Sequence, residues 1–293
     1  MCDRTAPRKP WQSHTLWSKL QTQTQHGLET QALRPIDTEY KIVADGGMEF
    51  IVRILTNLNR KAQARKTQAK KKTNPFLPYD PNLYVTDVSD THVCLLNKFN
   101  VVDHHFLIVT RKFESQLDWL NLADFEALCR CLTEVAGLFF YNGGSAAGAS
   151  QPHKHLQVVP QQSMELPIEV AIHATNFIEG MGQSPMLPYV HRIVQLKPND
   201  GPLQWLQHYR RLLNSLAIDD PSGQWQGSQR DAYNLLGTRD WLMAVPRRQD
   251  DHLGISVNSL GFAGSLLVKN HVQMDQLEQI GPMTLLKEVG QTR

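Results

Sequence analysis

The chain has 293 residues, 41% of them hydrophobic and 20% charged, with a formal net charge of +2, which is typical of a globular protein of one or two domains. The small net charge gives no indication of a nucleic-acid partner, no apolar run reaches the roughly 18 residues of a membrane-spanning helix, and the N-terminus lacks the apolar segment of a secretory signal. The four cysteines, Cys2, Cys94, Cys129 and Cys131, are too few and too poorly spaced for a disulfide framework or a zinc site, so we expect free thiols in a reducing cytoplasm.

The first 72 residues contain two predicted elements and a basic segment. Residues 11–35 are predicted to form a helix followed by a loop, and the alternating apolar side chains of residues 47–55 predict a strand. Residues 60–72 carry seven lysines and arginines. A basic run of this kind is usually a solvated face. The alternatives are a flap that covers a polyphosphate and a nucleic-acid tail, and the lack of interleaved aromatic residues disfavours the tail.

Two strands and a long helix are predicted next. Residues 92–100 and 105–110 read as an antiparallel hairpin with a polar turn. In residues 121–141, apolar side chains recur at three- and four-residue steps, which predicts a helix with one face packed on the sheet. Asn142 would then lie at the end of this helix.

A glycine-bearing loop that leads into an alternating segment occupies residues 143–160. The glycines let a backbone approach an anion closely, and the amides of such a loop can point at phosphate oxygens. In an extended strand, His153, His155 and Gln157 would line one face, because residues two apart project together. A His-x-His motif without other support is more often structural. A metal site would need further ligands nearby, which this stretch lacks. The combination with a phosphate-binding loop favours a histidine that attacks phosphorus, and no metal site is expected.

The motif in this stretch resembles one known family. Residues 150–157, Ser-Gln-Pro-His-Lys-His-Leu-Gln, are similar to the His-x-His-x-Gln motif in the transferase branch of the histidine-triad superfamily, and most of all to diadenosine tetraphosphate phosphorylases, also called ATP adenylyltransferases. The Asn-Pro-Phe of residues 74–76 also resembles the family. The resemblance implies an α+β fold of the histidine-triad-like class, with a largely antiparallel sheet, packed helices and two related halves. We expect residues 1–293 to form a single catalytic unit, with a nucleophile-bearing half near 15–165 and a second half near 166–290 that completes the nucleotide site.

The rest of the chain supports the same resemblance. A strand is predicted at residues 189–196, an amphipathic helix at 202–216, and a hairpin at 232–237 and 241–246. The segments Tyr-Asn, Val-Pro-Arg and Asn-Ser-x-Gly, followed by a strand at 265–269, resemble the C-terminal half of the phosphorylases. His191 is a lone strand histidine, for which we expect a packing role.

The resemblance assigns substrate-binding roles to positions in both halves. These positions are Lys61, Asn97, Lys98, Asn142, Gly148, Ala149, Ser150, Gln151, Asn258, Ser259, Leu260, Ser265 and Lys269. Leu260 stands where the family usually has threonine, so a contact there would be made by the backbone. On local grounds alone, Lys98 would be an ordinary turn lysine and Asn142 a helix-ending residue. No role is expected for His104 or His105.

The implied reaction is the phosphorolysis of diadenosine tetraphosphate to ATP and ADP, and its reverse. Neutral imidazole is a good nucleophile near pH 7, so His155 is predicted to attack the α-phosphorus and form a nucleotidyl-histidine. Gln157 would hold a non-bridging oxygen, and His153 would orient the strand. Ser150, Gln151 and the amides of Gly148 and Ala149 would hold the leaving polyphosphate.

Other functions remain open at this stage. A hexose-1-phosphate uridylyltransferase shares the His-x-His-x-Gln chemistry, a histidine-triad hydrolase would carry a third histidine in place of Gln157, and a non-catalytic sensor of dinucleoside polyphosphates needs no turnover. The expected partners are nucleotides and phosphate, with no nucleic acid or membrane. No cofactor is strictly implied, although a divalent cation such as Mg²⁺ could accompany the polyphosphate.

Overall fold

The computed structural model describes residues 10–56 and 74–292. The predicted basic segment and Lys61 lie outside these ranges. The helices are α1 (Leu16–Glu29), α2 (Leu122–Glu134), α3 (Glu169–His173), α4 (Pro202–Asn214), α5 (Ser259–Phe262), α6 (His271–Ile280) and α7 (Pro282–Val289). The strands are β1 (Thr38–Asp45), β2 (Met48–Leu55), β3 (Tyr84–Asp87), β4 (His92–Leu96), β5 (Phe106–Thr110), β6 (Gly137–Gly143), β7 (His155–Pro160), β8 (Asn176–Ile178), β9 (Met181–Gln183), β10 (Arg192–Gln195), β11 (Tyr233–Gly237), β12 (Trp241–Pro246), β13 (Asp251–His252), β14 (Ile255–Ser256) and β15 (Ser265–Val268).

A ten-stranded sheet in the order β3-β4-β5-β7-β6-β11-β12-β10-β9-β8 runs through the molecule. Its neighbouring strands pair antiparallel throughout. The pair β6–β11 joins strands from the two halves of the chain, with Asn142 opposite Asn234. The predicted α+β fold with a largely antiparallel sheet is therefore confirmed, and so are the predicted hairpins at β4–β5 and β11–β12.

A smaller sheet, β1-β2-β15, brings the beginning and the end of the chain together. In it, β15 lies parallel to β2, and Val268 is opposite Ile54. Parallel neighbours need a long connection, and here that connection is most of the chain.

Two apolar cores lie on opposite faces of the large sheet. One core packs α1, α2 and α4 on the sheet and includes Leu128, Leu156 and Val158. The other core lies between the large sheet and the small one, and it includes Phe50, Phe140 and Val159. The molecule is thus layered as helices, large sheet and small sheet, and the central strands β6 and β7 send alternate side chains into the two cores. Strands β4 and β5 instead send alternate side chains into the helix-side core and into a smaller cluster that includes Phe76.

The predicted helix over residues 121–141 is wrong in its second half. Helix α2 begins after the cap Asn121, whose side chain accepts the amides of Ala123 and Asp124, and it ends at Glu134. Residues 137–143 form β6 instead, and all of them are buried. A strand buried on both faces shows no alternation, so the run Leu138-Phe139-Phe140-Tyr141 could continue the helical spacing by chance. Asn142 therefore lies in a central strand and not at a helix end.

The remaining helix predictions are confirmed, since α1 falls inside the predicted helix and loop of 11–35, and α4 agrees with 202–216 within two residues. No helix in residues 10–56 or 74–292 is long and apolar enough to cross a bilayer. The three cysteines in the same ranges, Cys94, Cys129 and Cys131, are free thiols.

Candidate active site

The predicted row of polar side chains on β7 exists. Leu156 and Val158 point into the helix-side core, and Val159 points into the core beneath the small sheet. Since neighbouring residues in a strand alternate, His155 and Gln157 share the face of Val159. This face looks toward the small sheet, and the side chains that line it come from several elements.

The hydrogen bonds of His155 fix its tautomer. Its side chain is 5% exposed, and Nδ1 lies 2.8 Å from the carbonyl oxygen of His153. A carbonyl can only accept, so Nδ1 carries the proton and Nε2 keeps its lone pair. No described residue bonds to Nε2. Burial lowers the pKa of His155 to about 4, so the ring is neutral at pH 7 and can act as a nucleophile through Nε2.

His153 is held at both ring nitrogens. Its Nε2 lies 2.8 Å from the carbonyl oxygen of Thr110, so Nε2 is the protonated nitrogen, and Nδ1 accepts from the Asn74 amide at 2.9 Å. The ring is fully buried. The His153 ring therefore has no free lone pair, and its carbonyl is the acceptor for His155 Nδ1.

Gln116 was not identified from the sequence, yet it lies where the strands β6 and β7 stop pairing, next to His155. The pairing of β6 with β7 ends at Phe140 opposite Gln157, so Asn142 and His155 do not pair. The buried Gln116 carboxamide fills this gap: its nitrogen donates to the Asn142 carbonyl at 3.0 Å, and its oxygen accepts the His155 amide at 2.9 Å. The amide nitrogen also approaches the His155 carbonyl at 3.3 Å. One side chain thus replaces the missing strand contacts and fixes the backbone of His155.

The Asn-Pro-Phe loop is part of the same site. The Phe76 ring lies 5.3 Å from the ring of His155 and 5.5 Å from that of His153. Asn74 uses its oxygen to accept the Phe76 amide, which leaves its nitrogen to donate to His153. The sequence showed this segment only as a family resemblance, because nothing local indicates which histidines a loop will contact.

The glycine loop differs from the prediction. The amide of Gly148 donates to the Ser145 carbonyl at 2.8 Å, and that of Ala149 donates to the Gly144 carbonyl at 3.2 Å. These two amides close a tight turn and are not free to hold phosphate, which corrects the predicted role. Gly148 has a φ of +85°, and a Cβ there would lie 2.8 Å from the Val257 carbonyl oxygen, so the turn needs glycine to pack this closely.

The next two residues of the loop keep free donors. The side chain of Ser150 is exposed and that of Gln151 is half-buried. Within the ranges that the structure covers, neither their amides nor their side chains have a hydrogen-bond partner. These two residues remain candidates for binding a polyphosphate, and they precede His153 by two and three positions.

A buried polar cluster joins the glycine loop to the C-terminal half. Asn142 Oδ1 accepts from Asn234 Nδ2 at 2.8 Å and from Ser259 Oγ at 2.7 Å. Asn234 Nδ2 also reaches the Ala147 carbonyl at 2.9 Å, and Asn234 Oδ1 accepts from Arg247 at 2.6 Å. The Asn142 nitrogen bonds to no described residue and remains available. The sequence assigned Asn142 and Ser259 to substrate, and the structure shows Ser259 as a fully buried part of this cluster.

Asn258 and Leu260 flank that cluster. Asn258 caps α5 by accepting the Leu260 amide at 3.0 Å, and it packs directly against Gly148. The Leu260 side chain packs on the core beneath the small sheet. Since its amide is already used, the predicted backbone contact of Leu260 cannot come from that amide.

Two predicted residues lie on the small sheet. Ser265 is buried at the start of β15, opposite Ile51. Lys269 follows the end of β15 and is exposed, with Nζ 3.1 Å from the Gly254 carbonyl oxygen. Because β15 and β2 are parallel, Lys269 lies beside the end of β2, from which the chain continues toward Lys61.

His105 has a more specific place than the sequence predicted. The Phe99 amide donates to Asn97 Oδ1 at 3.4 Å, so the Asn97 nitrogen donates to His105 Nδ1 at 3.1 Å. The proton of His105 then lies on Nε2, which is buried beside the side chain of Gln157. Burial lowers its pKa to about 4, with smaller effects from Gln157 and His155. Asn97 is thus half-buried beside His105. The carbonyl of Lys98 accepts the Arg34 amide.

The two buried histidines, His105 and His155, should make the stability of the fold depend on pH. Both His105 and His155 have a pKa of about 4 when folded and would return to about 6.5 when unfolded. The unfolded chain therefore binds more protons between these values, and the free energy of unfolding should fall as the pH drops from about 6.5 to about 4, by up to about 1.4 kcal/mol per unit for each histidine. Urea unfolding of the native chain and of His155→Asn at several pH values measures this. Below pH 6.5, the free energy of unfolding of the variant should depend less steeply on pH than that of the native chain, and above pH 7.5 the two dependences should be the same. Parallel pH dependences over the whole range would contradict the assignment.

No group of three or more His, Cys, Asp or Glu side chains within residues 10–56 and 74–292 is arranged to hold a metal ion. The chemistry of the site, as the structure describes it, is that of imidazole, amide and hydroxyl groups.

Comparison with known proteins matches each half of the chain to a known protein domain. Residues 6–174 match the Ap4A phosphorylase N-terminal domain and residues 185–292 match the ATP adenylyltransferase C-terminal domain. The chain is 26% identical over 258 residues to diadenosine 5',5'''-P1,P4-tetraphosphate phosphorylase 2 of Saccharomyces cerevisiae, covering 79% of each protein. It is 28% identical over 195 residues to protein APA1 of the same yeast, covering 60% of this chain and 61% of that protein. The crystal structure of yeast Ap4A phosphorylase Apa2 has the same fold, with a TM-score of 0.80 and 23% identity over 94% of this chain and 97% of that one.

Proposed function

Since this chain belongs to the Ap4A phosphorylase family, whose two domain models match nearly all of it, we propose that it is a nucleotidyltransferase that splits diadenosine tetraphosphate with inorganic phosphate into ATP and ADP. The same site would run the reverse adenylyl transfer. The observation that carries this proposal is the state of His155: a neutral ring, with Nδ1 held by a carbonyl and Nε2 without a partner among the described residues.

The first step forms a covalent intermediate. Nε2 of His155 attacks the α-phosphorus of diadenosine tetraphosphate, a bond from Nε2 to phosphorus forms, and the bond from phosphorus to the bridging oxygen breaks. ATP leaves as the anion, and therefore needs no proton from the protein. Gln157, which cannot titrate, suits this reaction because it can hold a phosphoryl oxygen with its amide nitrogen but does not deliver protons.

The intermediate places a positive charge on the His155 ring, and the site is built to stabilise it. The bond from Nδ1 to the His153 carbonyl favours the cationic ring, so this contact strengthens as the bond to phosphorus forms. Phosphate then attacks the same phosphorus, the bond to Nε2 breaks, and ADP leaves with the ring neutral again. His153 supports both steps through its carbonyl and takes no proton itself.

The other substrate contacts are proposed from the free donors near the histidines and from the family resemblance. Ser150 and Gln151 precede the histidines and have unused donors, so we assign them to the polyphosphate. The Asn142 nitrogen has no partner among the described residues, and we propose that it donates to the nucleotide. The family resemblance supports further contacts from Asn97, Lys98, Asn258 and Lys269. We propose that Lys61 reaches this site from the segment that follows β2.

The alternatives now differ in support. Neither a hexose-1-phosphate uridylyltransferase nor a histidine-triad hydrolase is favoured, because both halves of the chain match domains of the phosphorylase family. We infer a reducing, cytoplasmic setting from the free thiols. We also propose that Mg²⁺, if it takes part, arrives with the polyphosphate, because its charge would be neutralised there by phosphate oxygens.

Product analysis tests the proposal directly. Diadenosine tetraphosphate is incubated with the protein, with and without inorganic phosphate, and the nucleotides are separated by chromatography. We expect ATP and ADP in equal amounts, and only when phosphate is present. ATP with AMP in the absence of phosphate would mean a hydrolase, and binding without cleavage would mean a sensor.

A further inference from the structure

Lys154, between the two histidines of the motif, points away from the substrate. Its side chain is 1% exposed although it carries a charge. Nζ lies 2.9 Å from Asp124 Oδ2, 3.1 Å from Glu114 Oε2 and 2.9 Å from the Trp119 carbonyl oxygen. These partners lie on the helix side of the large sheet, opposite the face of His155. A buried lysine is rare unless it is paired, and here all three ammonium protons have acceptors.

Asp124, the main partner, is itself fixed from two sides. Its Oδ2 also accepts the Asn121 amide at 2.8 Å in the cap of α2, and its Oδ1 lies 3.0 Å from His92 Nε2 on β4. Burial alone would raise the pKa of Asp124, but the hydrogen bond from His92 and the charge of Lys154 hold it below its ordinary value. The carboxylate is therefore ionised, and it connects Lys154 to both a helix and a strand of the rigid core.

The backbone of Lys154 is also anchored. Its amide donates to the Glu114 carbonyl at 2.9 Å, and its carbonyl accepts the Thr110 amide at 3.3 Å. The adjacent carbonyl, that of His153, is the one that orients His155. A shift of the Lys154 backbone would therefore move the acceptor of His155 Nδ1.

We infer that Lys154 is a positioning residue for the nucleophile: through its buried ion pair with Asp124 it holds the segment His153–His155 at the distance from phosphorus that the reaction needs. This inference rests on the proposed function and adds a residue that touches neither substrate nor His155. The ion pair serves geometry more than stability, because the free-energy cost of removing two charges from water is about as large as the attraction that a buried ion pair gains. The net stability from such a pair is small, whereas the fixed geometry remains.

The test compares kcat with KM in Lys154→Met, which keeps the length of the side chain and removes its charge. A displacement of about 1 Å can cost about 100-fold in rate, so we expect kcat to fall about 10- to 100-fold while KM stays within about threefold. Lys154→Arg restores the charge and should recover part of the lost kcat. The native chain is assayed first: if it forms no ATP and ADP from diadenosine tetraphosphate and phosphate, the proposed function fails, whatever Lys154 does.

Leu128→Ala is the matched control, because Leu128 is fully buried in the same core and on the same helix α2 as Asp124 but its side chain carries no charge and no hydrogen-bonding group. It should lower the melting temperature and leave kcat unchanged at a temperature at which the chain is folded. An unchanged kcat in Lys154→Met, or an equal loss of kcat in Leu128→Ala, would overturn the inference. If Lys154→Met does not fold, Glu114→Gln removes one half-exposed partner of Lys154; we expect kcat to fall about three- to tenfold, since part of the restraint remains, and an unchanged kcat would overturn the inference.

Discussion

His155→Ala should abolish turnover while nucleotide binding survives. The variant removes the atom that forms the bond to phosphorus, and loss of a covalent nucleophile lowers kcat by at least about 10⁴-fold. The groups assigned to substrate binding, apart from Gln157 on the same strand, lie on other elements, and the variant leaves all of them in place, so the dissociation constant for diadenosine tetraphosphate should change by no more than about threefold. Steady-state kinetics and calorimetric titration measure the two quantities. Native protein incubated with labelled substrate in the absence of phosphate, and then denatured at alkaline pH where the bond from nitrogen to phosphorus is stable, should carry the nucleotide covalently, and the variant should not.

His191 is the natural control for this experiment, because its local geometry matches that of His155. It is fully buried, and its Nδ1 lies 2.9 Å from the carbonyl oxygen two residues earlier, that of Tyr189. Its Nε2, however, accepts the Ser184 amide at 2.9 Å, so it has no lone pair to offer. His191→Ala should therefore keep its kcat when folded. Native turnover by His155→Ala, or loss of kcat in His191→Ala, would contradict the assignment of the nucleophile.

The shared face of His155 and Gln157 could be predicted from the sequence because its signal is local. A spacing of two in an extended segment places His155 and Gln157 on one face in any sheet, and the structure keeps this arrangement. The tautomer of His155 also follows from local geometry, since its acceptor is only two residues away. Local patterns failed where tertiary contacts decide: the strand β6 looked helical because both of its faces are buried.

The supports of the site could not be predicted in the same way. Gln116 precedes His155 by 39 residues in a loop without periodicity, and its role exists only because β6 and β7 separate at that point. The amides of Gly148 and Ala149 were assigned to phosphate, but they close their own turn, which depends on the approach of Val257. Lys154 reads as a surface residue until the position of Asp124 is known. Each of these contacts links segments distant in sequence, and one sequence carries no direct record of such pairs.

The buried Arg247 should be the most sensitive position for stability. Its guanidinium donates to the side chain of Asn234 at 2.6 Å and to the carbonyls of Val257, Gln249 and Val289 at 3.0, 2.7 and 3.1 Å. Burial lowers its pKa to about 10, so it stays charged at pH 7. Arg247→Met leaves several buried acceptors without a donor, at about 1–3 kcal/mol each, and we expect the free energy of unfolding to fall by at least about 3 kcal/mol in a urea titration.

The neighbouring Arg248 provides the control for this prediction, since it is exposed and its replacement by methionine should change stability by less than about 0.5 kcal/mol. Arg247→Met should also raise KM, because Arg247 orients Asn234, and Asn234 in turn holds Asn142, Ser259 and the glycine loop together. A KM that stays native in the folded variant would show that this cluster supports the fold alone. A raised KM would show that the C-terminal half shapes the glycine loop of the N-terminal half, so that the two halves form one site.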